Sequence, residues 1–236
     1  MQLENSKILL TGGSSGLGKA MAKVLTEAGA KVLITGRNAE KVTQVAKEIG
    51  CLGLAFDVSD YNNISAKTQE ALQLLGGIDV LINNAGIGTF PLLGNISIED
   101  FERVFSTNVF GLTLLTQEVL PHFKAQKQGN IINIASTAAL KGFARGSVYA
   151  ASKFALRALT QCWQAELRKE NIRVMQVNPS EVPTAFNQDD RVERPDQAHK
   201  LSAVEIAHSI KAVLEMDNRG FIPELSVWAT NPWAAE

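Results

Sequence analysis

The 236-residue chain has little of what marks several large classes of protein. Its two cysteines, Cys51 and Cys162, lie far apart and form no CxxC pair. A disulfide framework or a thiolate metal site is therefore not indicated, and two reduced, mostly buried thiols are expected. The three histidines have no other ligands at metal spacing, so no metal site is predicted.

Neither net charge nor long apolar stretches point to a nucleic acid or a membrane as a partner. The formal net charge is −1, and no run of like charge occurs. The first apolar run, Ile8-Leu9-Leu10, is too short for a signal peptide or a membrane span. We therefore expect a cytoplasmic protein that binds neither, and that is long enough to bury one large core.

Short apolar runs alternate with segments of helical period along the chain. The runs predict strands buried on both faces, at 8–11, 31–35, 52–56, 79–82, 130–135, 172–177 and 225–228. The longer segments predict helices at 16–28, 38–49, 59–75, 101–123, 149–169 and 203–216. This alternation predicts an α/β fold: a Rossmann-like, doubly wound parallel sheet of about seven strands, with helices on both faces and residues 1–236 in a single domain.

Ligands of a doubly wound sheet bind beyond the carboxyl ends of its strands. One segment near that region, residues 185–200, is strongly polar and unlike the rest of the chain. We interpret this segment as a substrate loop or short lid over the site. The alternative is a solvated connector between two elements.

A glycine-rich loop follows the first predicted strand and opens the first predicted helix. Glycines permit a tight turn and a close approach to phosphate, and the helix N-terminus adds free N–H groups. The spacing is GxxxGxG rather than GxGxxG, and glycines also occur here for packing, but the strand–loop–helix context favours a dinucleotide. The residues expected to bind it are Gly12, Ser14, Ser15, Gly16, Leu17 and Gly18.

The end of the second predicted strand favours NADP(H) over NAD(H). An NAD site places a carboxylate near this point to hold the ribose 2′-hydroxyl. Here Gly36 stands in that place and Arg37 follows it. A guanidinium can bind a 2′-phosphate through charge-assisted hydrogen bonds, and Asn38 could add a donor. The alternative for Arg37 is a solvated side chain at a helix start.

Together, the motifs resemble the short-chain dehydrogenase/reductase family of the single-domain type, over nearly the whole chain. The matching positions are Thr11 to Gly18, Asp57-Val58, Asn83 to Gly86, Asn108, Ser136, Tyr149-x-x-x-Lys153 and Asn178 to Thr184. The resemblance extends to 3-oxoacyl-acyl carrier protein reductases and related carbonyl reductases. One departure is Ser180, because the family commonly has glycine after the proline.

The resemblance implies further contacts with the cofactor. Asp57 would meet the adenine ring, Thr184 would touch the nicotinamide carboxamide, and Tyr149 and Lys153 would lie beside the nicotinamide ribose. The remaining implied cofactor residues are Val58, Asn83, Asn84, Ala85, Gly86, Pro179 and Val182. The family also implies a homodimer or homotetramer that is built on the two long helices.

Tyr149 and Lys153 are four residues apart on a predicted helix and therefore share a face. A nearby ammonium lowers the pKa of a phenol, so Tyr149 is expected to transfer the proton. Ser136 follows the fifth predicted strand and could polarise a carbonyl oxygen, or merely cap a turn. An isolated YxxxK arises often by chance, but a dinucleotide-binding frame makes chance less credible.

Asn108 interrupts an otherwise apolar helical segment, where an unpaired amide would be unfavourable. The resemblance implies that it anchors a water that links Lys153 to solvent. The alternative is an asparagine that bonds a neighbouring backbone in a kinked helix.

These residues predict an NADPH-dependent reductase that converts a small-molecule carbonyl into an alcohol. The alternative is a catalytically silent nicotinamide-binding sensor, which the presence of Asn108, Ser136, Tyr149 and Lys153 disfavours. The substrate stays open. Trp228 and Trp233 could pack at a subunit boundary or cap the core. Apolar residues near the site suggest a greasy or aromatic substrate, or simple packing: Ile87, Phe90, Leu140, Phe143 and Phe186.

Overall fold

The computed structural model describes residues 1–186 and 192–233. Its strands are β1 (Lys7–Leu10), β2 (Lys31–Gly36), β3 (Leu52–Ala55), β4 (Val80–Asn83), β5 (Gly129–Ile134), β6 (Ile172–Pro179) and β7 (Glu224–Val227). Its α-helices are α1 (Gly16–Glu27), α2 (Ala39–Ile49), α3 (Ile64–Leu75), α4 (Ile98–Phe105), α5 (Leu112–Gln126), α6 (Ser147–Leu167) and α7 (Ala203–Glu215).

The strands form one parallel sheet in the order β3-β2-β1-β4-β5-β6-β7. The strand order reverses between β1 and β4, so the loops that leave these two strands diverge to opposite faces. Such a reversal opens a crevice at the carboxyl ends of the strands, where ligands of doubly wound sheets bind. The predicted Rossmann-like fold is confirmed.

Each face of the sheet is covered by its own apolar core. On one face, Ile8 and Leu10 of β1 pack with the buried sides of α1, α2 and α7. On the other face, Leu9 packs with the buried sides of α3 and α5. Neighbouring residues of one strand therefore enter different cores, which explains why the strands are apolar without alternation.

The third helix starts later than its sequence pattern suggests. Residues 59–75 were predicted as one helix, but α3 begins at Ile64, after a 3₁₀ turn at Tyr61–Asn63. The physical reason lies in Asp57, whose Oδ1 accepts hydrogen bonds from the N–H of Ser59 at 2.9 Å and from its hydroxyl at 2.7 Å. This local turn competes with the first turn of a helix.

The predicted helix at 101–123 is interrupted by a π-helical segment, Ser106–Gly111, that separates α4 from α5. The start of α4 is set by a capping box in which Ser97 and Asp100 bond each other's backbone N–H groups. π-Helical turns inside α-helices frequently lie at functional sites. This one carries Asn108.

The expectations about cysteines, membrane spans and metal sites concern residues that the structure describes. Cys51 and Cys162 are both free; Cys162 lies exposed on α6, so the expectation of mostly buried thiols is wrong for it. Across residues 1–186 and 192–233, no helix is long and apolar enough to cross a membrane. Within the same ranges, no group of three or more His, Cys, Asp or Glu side chains is placed to hold a metal ion.

The polar segment predicted at 185–200 is described only in part, because residues 187–191 lie outside the described ranges. Residues 185, 186 and 192–200 contain neither helix nor strand. Two of them, Glu193 and Arg194, make contacts with the site described below.

Candidate functional site

A cavity of about 890 Å³ opens at the carboxyl ends of β1, β4 and β5. Its volume lies within the usual range for small-molecule and cofactor sites. Asn108 does not line it, and neither does Asn83, whose buried amide donates to Thr116 and Asn133 instead. Every other predicted catalytic or cofactor residue does: Gly12, Ser14, Ser15, Gly16, Leu17, Gly18, Arg37, Asn38, Asp57, Val58, Asn84, Ala85, Gly86, Ser136, Tyr149, Lys153, Pro179, Val182 and Thr184.

The glycine loop is tied to the end of β4 by the side chains of Thr11 and Asn84. The Thr11 hydroxyl accepts hydrogen bonds from the N–H groups of Asn84 and Ala85, each at 3.0 Å. The Asn84 amide donates to the carbonyls of Thr11 at 2.9 Å and Gly12 at 3.1 Å. The loop between β1 and α1 is therefore held at a fixed position against the next strand of the sheet.

The fold requires glycine at Gly18, where the loop closes onto α1. A Cβ at this position would lie 2.1 Å from the carbonyl oxygen of Gly12 and 2.7 Å from the Asn84 amide nitrogen. Gly16, the first residue of α1, has a φ of +52°, in the left-handed region that favours glycine. The backbone of the loop can thus curl over the start of the helix.

The start of α1 offers anion-binding N–H groups to the cavity. Its N-cap, Ser15, makes no side-chain capping bond, and no acidic residue lies in the first turn. The N–H of Gly16 instead donates to Glu193 Oε1 at 2.6 Å, and Glu193 Oε2 accepts from Ala185 N at 2.9 Å. An anion therefore already occupies this helix terminus, which is the behaviour that a diphosphate site requires.

Beside the glycine loop, at the end of β2, the cavity carries two cationic side chains. Arg37 is 61% exposed, and its Nε lies 4.0 Å from Asp57 Oδ2. Lys41, from the first turn of α2, lines the cavity at the same end. Sequence reasoning missed Lys41, although its position four residues after Arg37 was a usable signal. A Cβ at Gly36 would lie 2.9 Å from the Ser14 hydroxyl, so this position leaves little room for a carboxylate.

Tyr149, Ser136 and Lys153 converge where β5 ends and α6 begins. The Tyr149 hydroxyl is hydrogen-bonded with Ser136. Lys153 is 4% exposed; its Nζ donates to the Ile134 carbonyl at 3.0 Å and lies 5.7 Å from the centre of the Tyr149 ring. These three side chains thus share a single wall of the cavity.

The expectation that Lys153 lowers the pKa of Tyr149 is not met. Burial raises the pKa of Tyr149 to about 12, and the hydrogen bond with Ser136 only partly opposes this rise. Burial also lowers the pKa of Lys153 to about 8. The physical reason is the same for both groups, since removal from water disfavours the charged form of each. The phenol is therefore firmly protonated at neutral pH.

Asn108 forms hydrogen bonds with the protein backbone beside the cavity. Its amide donates to the Ile87 carbonyl and its Oδ1 accepts from Ile87 N–H, both at 2.9 Å. The same amide donates to Ser152 Oγ at 3.0 Å, and Ser152 donates to the Tyr149 carbonyl at 2.7 Å. These bonds match the reading of Asn108 as an asparagine that bonds a neighbouring backbone in a distorted helix. The water relay stays a prediction.

The segment after β6 tolerates the serine that departs from the family pattern. Ser180 N–H donates to the Val227 carbonyl at 2.9 Å, which extends the pairing of β6 with β7. Ser180 is not among the non-glycine residues with positive φ. Glycine is therefore not required there, and the neighbouring Val182 and Thr184 still line the cavity.

The apolar residues that the sequence placed near the site divide into two groups. Ile87, Phe90, Phe143 and Phe186 line the cavity, whereas Leu140 does not. Trp228 also lines it and is 63% exposed, so it does not cap the core, and its expected place at a subunit boundary stays a prediction. Its position at the end of the last predicted strand was the signal that could have placed it at the ligand-binding edge.

Comparisons with known proteins agree with this geometry. The mouse (Mus musculus) dehydrogenase/reductase SDR family member 7B is 35% identical over 191 residues, which are 77% of this chain and 59% of the mouse protein. The chain thus spans about three fifths of the length of that relative. An NADP-dependent 3-hydroxy acid dehydrogenase from Schizosaccharomyces pombe is 35% identical over 195 residues, covering 79% of this chain and 75% of that protein.

Among solved structures, a 3-ketoacyl-(acyl-carrier-protein) reductase from Brucella melitensis complexed with NADH is 29% identical. It superposes with a TM-score of 0.87 over 98% of this chain and 100% of the other. The family model described as short chain dehydrogenase matches residues 6–195. The chain therefore belongs to the short-chain dehydrogenase/reductase family.

Proposed function

We propose that this protein is an NADPH-dependent reductase that converts a carbonyl compound into an alcohol, with Tyr149 as the proton donor. The observation that carries the proposal is the shared cavity. Tyr149, Ser136 and Lys153 line the same cavity as the glycine loop and the start of α1. A dinucleotide that lies on that loop would bring its nicotinamide end to these side chains.

The residues of the cavity fit an anionic dinucleotide with a 2′-phosphate. The N–H groups at the start of α1 would hold the diphosphate. Arg37 and Lys41 would hold the 2′-phosphate, with Ser14 and Asn38 as neighbours. The S. pombe relative is named as NADP-dependent, while the Brucella structure contains NADH, so the preference of this chain rests on its own two cations.

The chain's own side chains supply positioning and the proton. The cofactor, when bound, supplies a hydride to the carbonyl carbon and is thereby oxidised. Ser136 would hold the carbonyl oxygen by hydrogen bonding as negative charge develops on it. Tyr149 would donate its proton to this oxygen, because its pKa of about 12 keeps the phenol protonated at neutral pH. The Tyr149 phenolate would then regain a proton from water.

The remaining expectations about partners are also proposals. Two aromatic side chains on the helices implicated in assembly are exposed: Phe110, at 50% just before α5, and Phe154, at 43% on α6. They provide apolar surface for a homodimer or homotetramer. We propose a small-molecule carbonyl or alcohol as substrate, a cytoplasmic location, and no nucleic acid or membrane partner.

The substitution Tyr149→Phe tests the proton donor. It removes the hydroxyl but keeps the ring, so kcat/KM for NADPH-dependent reduction should fall at least about 100-fold while the Kd for NADPH stays nearly unchanged. Steady-state kinetics and fluorescence titration measure the two quantities. An equal loss of binding and turnover would show that Tyr149 is structural. Tight NADPH binding by the unmodified protein without turnover of any carbonyl would instead support a sensor.

Replacing Arg37 by aspartate tests the cofactor preference. The carboxylate should repel the 2′-phosphate and accept a bond from a free ribose hydroxyl. The ratio of kcat/KM for NADPH to that for NADH should fall by about 10- to 100-fold. Arg103→Asp, at an exposed arginine of α4 outside the cavity lining, is the matched control. An unchanged ratio in Arg37→Asp would refute this role.

Glu193→Gln tests whether the carboxylate at the start of α1 competes with the cofactor. Removal of its negative charge should lower the Kd for NADPH several-fold, because the diphosphate no longer displaces a charged group from Gly16 N–H. Glu181→Gln is the control, since Glu181 also lines the cavity but pairs with Lys200. If both variants bind NADPH like the parent protein, Glu193 does not compete for this position.

Lys153→Met tests the burial of the ammonium through the pH dependence of stability. The pKa of Lys153 is about 8 in the folded protein, below its ordinary 10.5. Between these pH values the unfolded chain binds the proton and the folded chain does not, so the free energy of unfolding gains a contribution that rises with pH. Relative to Lys153→Met, the parent protein should become more stable from pH 7.5 to about 9.5 in denaturant titrations. A flat difference would contradict a buried, destabilised ammonium.

A further inference from the structure

The ring of Tyr149 lies beside a cluster of three phenylalanine rings, Phe90, Phe143 and Phe186, which we call the aromatic enclosure. The ring centres of Phe90 and Phe186 lie 5.5 Å and 5.6 Å from the centre of the Tyr149 ring, with interplanar angles of 57° and 55°. Phe143 continues the enclosure, 6.2 Å from Phe90. The ring that carries the hydroxyl expected to meet the substrate oxygen therefore packs against two apolar rings.

Two glycines allow these rings to stand where they do. A Cβ at Gly88 would lie 2.9 Å from the Phe90 ring and 3.1 Å from the Phe186 ring. A Cβ at Gly146 would lie 2.7 Å from the Phe143 ring. Larger residues at either position would displace the rings, so the aromatic enclosure is specified by its backbone as well as by its side chains.

Packing within the described chain leaves part of the aromatic surface in this cavity exposed. Phe143 is 51% exposed and Trp228 is 63% exposed, although both line the cavity. Large exposed apolar side chains that converge in a concavity mark a surface for a ligand. A flat aromatic group would bury these rings and add ring-to-ring contacts.

The cationic side chains nearby are engaged with the backbone. Arg145 Nε donates to the Phe90 carbonyl at 2.8 Å, and Arg194 Nε donates to the Thr184 carbonyl at 2.9 Å. These bonds hold the arginines to the wall of the cavity. Lys141 also lines the cavity and is exposed. A substrate carboxylate would pair with Lys141 or Arg194, whereas an uncharged aromatic group buries the phenylalanine rings without a cation, so the test below includes a carboxylate substrate.

We propose that the substrate is a ketone or aldehyde whose carbonyl bears an aromatic group, held between Phe90, Phe143 and Phe186. This inference rests on the proposed reductase function and names its substrate class. The three phenylalanines are then specificity residues that orient the ring so that the carbonyl oxygen reaches Tyr149 and Ser136. In the reaction, the carbonyl carbon gains a hydrogen with two electrons from NADPH, the oxygen gains the Tyr149 proton, and NADP⁺ is released.

The test compares three carbonyl compounds with NADPH consumption as the readout: acetophenone, acetone and acetoacetate. We expect kcat/KM for acetophenone to exceed that for each of the other two by about 100-fold, since ring burial contributes more than one methylene group does. A preference for acetone or acetoacetate would overturn the aromatic substrate class and leave the reductase function intact. No turnover of any of a wide panel of carbonyls, aryl ones included, would refute the reductase function itself, and this inference with it.

Substitutions in the aromatic enclosure test whether its rings cause the preference for acetophenone. Phe143→Ala is expected to lower the ratio of kcat/KM for acetophenone to that for acetone at least about 10-fold, and its half-exposed position makes unfolding a minor concern. Phe90→Leu, which keeps an apolar side chain, should act in the same direction. Leu74→Ala, at an exposed leucine of α3 outside the cavity lining, is the control and should leave the ratio unchanged. An unchanged ratio in both cavity variants, or acetoacetate reduction that Lys141→Gln abolishes, would overturn the proposal.

Discussion

The position of the candidate site depends on the hydroxyl of Thr11, which ties two strand ends at the point where the order of the sheet reverses. It accepts the N–H groups of Asn84 and Ala85 and lies within 3.3 Å of the Ile82 carbonyl oxygen. Without this tie the loop after β1 and the loop after β4 would be joined only by strand pairing and by the Asn84 amide. With it, the start of α1 keeps a fixed direction toward the cavity, because Asn84 also binds the loop backbone.

A second constraint acts from the other side of the cavity, through buried polar groups that cannot be left unpaired. Asn108 satisfies both backbone groups of Ile87 and reaches Ser152, which in turn bonds the Tyr149 carbonyl. The π-helical turn that places Asn108 is therefore part of the frame that holds α6 against the loop after β4. The same dry surroundings raise the pKa of Tyr149 and lower that of Lys153, so the frame that orders the site also sets its protonation.

The sequence predicted those features that depend on local patterns. Apolar runs such as Ile8–Leu10 located the strands, and the glycine spacing and the Tyr149–Lys153 interval located residues that line one cavity. Features that depend on tertiary contacts were missed. The π-helical turn needs the pairing of Asn108 with Ile87. The late start of α3 was also missed, although its cause is local: the bonds between Asp57 and Ser59 compete with the first helical turn. The direction of the Tyr149 pKa shift follows from burial, which no spacing in the sequence reports. Trp228 in the cavity and the contact of Glu193 with Gly16 join segments far apart in the chain.

The central claim is that one cavity receives the dinucleotide along its length, with the 2′-phosphate near Arg37 and the nicotinamide near Tyr149. A crystal structure of the protein with NADPH tests it most directly. The account predicts the diphosphate on the N–H groups at the start of α1, with Glu193 moved away, and the nicotinamide beside the Tyr149 hydroxyl. A dinucleotide bound in the reverse direction, or outside this cavity, would contradict it.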